Sequence, residues 1–119
     1  MLFVGGGYGS YEFVAFDAPS GEVAWRTKPA ADGPTAAVVE DDLVAFNTES
    51  CSIIVCNAQT GEVVWQEWLG DPLISQPAID KGKLFLAYPT GQKKGQPIAH
   101  RNHAMRCADL HTGRHIWEQ

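Results

Sequence analysis

The sequence predicts an all-β chain of repeated four-stranded antiparallel sheets, and three observations carry that expectation. Twelve glycines and seven prolines in 119 residues place turns at short intervals, which favours strands over helices. One pattern occurs three times, in Ala15-Phe16-Asp17-Ala18-Pro19-Ser20-Gly21-Glu22-Val23-Ala24-Trp25, in Val55-Cys56-Asn57-Ala58-Gln59-Thr60-Gly61-Glu62-Val63-Val64-Trp65 and in Cys107-Ala108-Asp109-Leu110-His111-Thr112-Gly113-Arg114-His115-Ile116-Trp117. Each reads [small]-x-[D/N]-x-x-[S/T]-G-x-x-x-W. A second register agrees: Ala37 to Leu43 matches Ala78 to Leu84 at an offset of 41, while the motif tryptophans stand 40 and then 52 residues apart. A period near 40 residues that holds several short strands is that of a β-propeller or a related array.

In chain order, strands are expected at 2–5, 11–17 and 22–27, then at 35–39, 43–47, 52–57 and 62–67, and finally at 75–79, 83–88, 103–109 and 114–118. The chain then divides into blades 1–29, 30–69 and 70–119, the first lacking its inner strand. The glycine-rich Gly5-Gly6-Gly7-Tyr8-Gly9 leads into a strand rather than a helix, so a flexible hairpin is expected there and not a phosphate loop. Glu40-Asp41-Asp42 forms a tight hairpin matched by Asp80-Lys81-Gly82-Lys83, and turn chemistry accounts for its carboxylates. In each motif Asp17, Asn57 or Asp109 folds its side chain onto the turn backbone, and the Ser or Thr hydroxyl three residues later does the same. Gly21, Gly61 and Gly113 supply the positive φ that reverses the chain, and the outgoing strand toward the tryptophan is expected to alternate. Phe16, Phe46, Phe85 and Tyr88 sit at strand positions and are expected in the core.

At these residues the sequence resembles the quinoprotein, or pyrroloquinoline-quinone-like (PQQ-like), β-propeller family, whose repeats carry A-x-D-x-x-T-G-x-x-x-W. WD40 repeats fit worse because Trp25, Trp65 and Trp117 are followed by Arg, Gln and Glu rather than Asp, and only Gly5-Gly6-Gly7 offers the paired glycines of kelch repeats. The resemblance covers essentially the whole chain. It implies that each motif Trp stacks between the small first residue of its own motif and the glycine peptide of the next: Trp25 on Ala15 and Gly61, Trp65 on Val55 and Gly113. It further implies a ring of seven or eight blades, of which this chain holds about a third, and an extracytoplasmic parent. The family contains calcium- and quinone-dependent alcohol and sugar dehydrogenases as well as non-enzymatic scaffolds of the outer-membrane β-barrel assembly machinery. Its dehydrogenases share a vicinal Cys-Cys disulfide, a calcium held by acidic and amide side chains, and an aspartate base. No two cysteines are adjacent here. No PQQ or calcium is therefore expected in this segment, and either would belong to a longer parent. The function expected is a non-catalytic binding or structural scaffold, and the alternative is a segment of a quinone-dependent dehydrogenase whose active site lies elsewhere.

Charge narrows the partners. The net value is −5, yet residues 1–80 hold two cations against twelve carboxylates, and residues 81–119 hold seven cations against two. A uniformly basic nucleic-acid binder is excluded, and no apolar run approaches the roughly 18 residues of a membrane span. The start, with no basic leader and no cleavable apolar core, does not read as a signal peptide. Cys51, Cys56 and Cys107 match no metal spacing and are expected as buried small hydrophobes. His111 and His115, four apart, would pair ligands on a helix but not on a turn entering a strand, and His100 and His103 lie in a loop without a partnering Cys or carboxylate nearby. Between the second and third strands the last blade runs 11 residues longer than its predecessor, through 91–102. Lys93, Lys94, His100, Arg101, His103 and Arg106 on and beside that insertion are the candidate anion contacts, expected in a basic loop over 91–106. The partners expected are another chain or copy that completes the propeller, and a protein.

Overall fold

The computed structural model describes residues 1–29, 33–69, 76–90 and 102–119. All eleven expected strands are present: β1 Leu2–Gly5, β2 Phe13–Phe16, β3 Val23–Thr27, β4 Pro34–Glu40, β5 Leu43–Thr48, β6 Ser52–Asn57, β7 Val63–Trp68, β8 Ala78–Asp80, β9 Lys83–Thr90, β10 Asn102–Asp109 and β11 His115–Glu118. They form three antiparallel sheets in the orders β1-β2-β3, β4-β5-β6-β7 and β8-β9-β10-β11, each a meander of sequential neighbours. The fold is a partial β-propeller. A 3-10 turn at Gly7–Gly9 joins β1 to β2, which pair antiparallel as the hairpin expected there.

The hairpins follow from turn chemistry. Glu40 faces Leu43 and Asp80 faces Lys83, so the two inner hairpins each have a two-residue loop. Asp41 (φ 52), Lys81 (φ 49) and Gly82 (φ 73) take the positive φ that matches such a loop to the strand twist. The insertion lengthens the hairpin of the third sheet, because β9 and β10 stay in register from Lys83–Asp109 out to Asn102–Thr90.

Burial reports which sheet faces are covered. All six residues of β5 and the central four of β6 are buried, since the second sheet is sandwiched between the other two. Strand β2, in a sheet covered on one side, alternates between buried and half-buried. Between the first and second sheets Phe13, Val44, Phe46, Ile54 and Cys56 form one core, with Phe3 and Trp25 against it. Phe13 and Phe46 stack with ring centroids 3.9 Å apart. Between the second and third sheets Leu43, Ile53, Val55, Leu84, Leu86 and Leu110 form the other, with Trp65 against it. Phe46 and Tyr88 are buried as expected, whereas Phe16 and Phe85 are only half-buried, because both lie on the end faces of the array.

Candidate functional site: the docking turns between blades

Each motif builds the same turn. Asp17 N donates to Glu22 O, Asn57 N to Glu62 O and Asp109 N to Arg114 O, each at 2.8 Å, and Gly21, Gly61 and Gly113 N donate to the carbonyls of Asp17, Asn57 and Asp109. Asp17 Oδ2 accepts from Ser20 N (3.0 Å) and Ser20 Oγ (2.6 Å), and Asp109 Oδ1 accepts from His111 N, Thr112 N and Thr112 Oγ1 at 2.9 to 3.1 Å. Asn57 does the same with an amide oxygen, accepting from Gln59 N and Thr60 N. These donors hold the carboxyls of Asp17 and Asp109 below their ordinary value, by the Ser20 hydroxyl first in one case and the Thr112 backbone N–H first in the other.

The glycines are where blades meet. Gly61 (φ 77) and Gly113 (φ 75) lie beneath indoles: a Cβ at Gly61 would fall 2.6 Å from Trp25 Cε3, and one at Gly113 would fall 2.8 Å from Trp65 Cδ2. Each indole also donates its N–H across the joint, Trp25 Nε1 to Ala58 O at 3.0 Å and Trp65 Nε1 to Leu110 O at 2.7 Å. Trp25 is paired with Ala15, Trp65 with Val55 and Trp117 with Cys107 in the strand ladders. The outgoing strand does not alternate. In all three sheets the register slips just before the tryptophan, leaving Ala24, Val64 and Ile116 as bulge residues, and Val23, Val63, Val64 and Ile116 are 41–47% exposed. A bulge resets the side-chain phase, which is what turns the tryptophan toward the next blade.

Two polar contacts that chain spacing does not reveal reinforce the second joint. Gly82 N donates to Glu40 Oε2 at 2.6 Å, tying the two inner hairpins together. Arg106 Nη1 donates to Glu67 Oε1 at 2.7 Å, joining β10 to β7. Tyr88 and Glu118 lie beside this pair, and burial followed by the Glu118 hydrogen bond pushes the Tyr88 phenol up.

Of the candidate anion contacts, Lys93, Lys94, His100 and Arg101 lie outside the described residues. His103 is exposed on β10. Arg106 is a correction: it belongs to β10 and not to a loop, is 9% exposed, and has its charge answered by Glu67. The loop expected over 91–106 is therefore a strand from residue 102 onward. The signal for Arg106 was its place directly before the small motif position Cys107, inside the strand expected over 103–109.

A family model described as the outer membrane protein assembly factor BamB matches residues 9–119. The chain belongs to the PQQ-like β-propeller repeat family. Solved structures share its fold: BamB from Moraxella catarrhalis (22% identity, TM-score 0.73, 98% of this chain and 32% of that one) and a europium-containing methanol dehydrogenase (16%, 0.74, 98% and 22%). Quinohemoprotein alcohol dehydrogenase from Comamonas testosteroni is a third (17%, 0.70, 91% and 18%). The chain thus spans about a third or less of the structures it matches. No curated protein matches the sequence. Among the described residues, the carboxylates of Asp17 and Asp109 accept from turn donors, and no group of three His, Cys, Asp or Glu converges as a metal-ligand cluster. All three cysteines are buried, and burial pushes the Cys56 thiol up to about 11.

Proposed function

We propose that this chain is a non-catalytic binding and structural module, working as an arc of a larger PQQ-like ring outside the cytoplasm. One observation carries the reading: the polar side chains that the repeat brings together are engaged by the fold itself. Asp17, Asn57 and Asp109 hold turns, the indole N–H groups of Trp25 and Trp65 hold blades, and Arg106 and Glu67 hold each other. What is left to recognise a partner is surface, and the family description as an assembly factor supports a protein as that partner. Burial of all three thiols is compatible with an oxidising compartment, since thiols screened from solvent do not exchange. Any PQQ or calcium would belong to the rest of a longer parent.

The test is a titration of the full polypeptide that carries this arc with pyrroloquinoline quinone and calcium, followed by quinone absorbance and by reduction of an artificial electron acceptor with alcohols. The scaffold reading predicts neither binding at micromolar concentration nor reduction. Stoichiometric quinone binding would favour the dehydrogenase reading, towards which the likeness to the methanol dehydrogenase points.

A further inference from the structure

The second and third sheets each turn, at the same end, through an inner hairpin and an outer one. In the second sheet these are the Asp41-Asp42 loop and the turn from Asn57 to Glu62, and in the third the Lys81-Gly82 loop and the turn from Asp109 to Arg114. Ala58 N donates to Asp42 O at 2.7 Å and Leu110 N to Gly82 O at 2.9 Å, so the inner and outer turns of each sheet form one surface. Gly82 N, donated to Glu40 Oε2, joins the two surfaces into one turn face. This face crosses an internal joint, and it is not a sheet left uncovered at either end of the array.

At equivalent positions on the turn face the charge reverses from one sheet to the next. Asp41 and Lys81 hold the same place in the inner hairpins on the same left-handed backbone, at φ 52 and φ 49. Glu62 and Arg114 hold the same place in the outer turns, directly after Gly61 and Gly113. All four residues are exposed, and among the described residues none of their side chains is ion-paired. Asp42 adds to the acidic side, which holds no cation. Lys83 adds to the basic side, whose carboxylates are Asp80 and Asp109, the latter already bonded to three turn donors.

We propose that two copies of the protein meet through this turn face, about a two-fold axis that runs through the joint between the second and third sheets. Equivalent turns stand at equal distances from a propeller's axis, so the operation sets each turn of the second sheet against its counterpart in the third sheet of the other copy. Asp41 then faces Lys81 of the second copy, Glu62 faces Arg114 of the second copy, and symmetry makes each contact twice. The occupant is a second copy because both halves of the complementary surface are on this chain, at matching positions. Exposed ion pairs are individually weak and are screened by salt, so the association is salt-dependent. It rests on the propeller fold and not on the scaffold reading, and the quinone titration leaves it untouched.

Sedimentation velocity of the full polypeptide that carries this arc tests it, up to the high micromolar range. The samples are the wild type, Asp41→Lys with Glu62→Arg, Lys81→Asp with Arg114→Glu, and a 1:1 mixture of the two double variants. Each exchange puts in a side chain that the same backbone already carries in the neighbouring sheet, and circular dichroism checks that both variants are folded. The wild type should form a two-copy species and stop, and raising the salt from about 0.05 M to about 0.5 M should weaken it by about tenfold or more. Each variant alone should stay monomeric, because like charges then face one another, and the mixture should recover the two-copy species. A wild type that stays monomeric at low salt overturns the proposal. So do growth beyond two copies, association that survives either double variant or the added salt, and a mixture that fails to associate.

Discussion

At the scale of single residues, the same glycine is asked for different things in different repeats. A left-handed alanine costs about 1–2 kcal/mol wherever it occurs. Gly21→Ala should cost about that much and no more, because its Cβ meets open space. Gly61→Ala must in addition displace Trp25, so a total of about 3 kcal/mol is expected, measured as a shift in the denaturant midpoint. Equal losses at the two sites would mean that the indole does not rest on the glycine. The turn carboxylates give a pH signature. Asp17 and Asp109 titrate below 3.8 in the folded chain, so their stabilisation is fully present above that value and is lost as pH falls through the lowered folded values. The Asn57 turn has no charge to lose. Asp17→Asn should therefore make the acid limb of a stability profile between pH 5 and pH 2 shallower, and an unchanged limb would contradict the assignment. The Cys56 thiol, raised to about 11 by burial, should react with a disulfide reagent at neutral pH only as fast as the protein unfolds.

At the scale of elements, the joint between the second and third sheets depends on one ion pair with unequal partners. Arg106 is buried, and Glu67 is 42% exposed in its side chain. Glu67→Ala leaves a buried guanidinium unanswered and should cost about 2–3 kcal/mol, while Arg106→Met leaves a carboxylate that water can reach and should cost nearer 1 kcal/mol. Chemical denaturation of both variants checks the order, and the reverse order would place the buried charge elsewhere. Most of the elements were legible in the sequence, because turns are local: the Asp/Asn–Ser/Thr–Gly triplets, the two-residue inner hairpins and all eleven strands follow from residues within a few positions of one another. What escaped was non-local. Glu67 and Arg106 are 39 residues apart, Glu40 and Gly82 are 42 apart, and neither charge pattern differs from that of a solvated strand. The bulges at Ala24, Val64 and Ile116 escaped for another reason. Small and β-branched residues suit a bulge and a regular strand alike, and the phase is decided by where the tryptophan can be buried.

At the scale of the whole chain, three sheets stand side by side with principal extents of 49 × 32 × 18 Å, covered on both faces at the centre and on one face at each end. Its radius of gyration is 14.7 Å, where a compact chain of this length would have about 13.5 Å. Stability must then pass from sheet to sheet through the two tryptophan joints, as in other linear arrays. Trp65→Ala should cost about 3 kcal/mol and remove cooperativity between the second and third sheets, and Trp117→Ala should cost under about 1 kcal/mol in the dilute chain. Both follow from equilibrium unfolding curves, and equal losses would contradict the distinction between the docked Trp65 and Trp117, which is 40% exposed. The most direct measurement is hydrogen exchange of the indole N–H groups, read as separate signals in a protein carrying nitrogen-15 tryptophan at low concentration. Trp25 and Trp65, bonded to Ala58 O and Leu110 O, should exchange only through unfolding, while Trp117 exchanges as fast as free indole. Exchange of Trp25 and Trp65 at the rate of Trp117 would show that tryptophans do not hold the blades together.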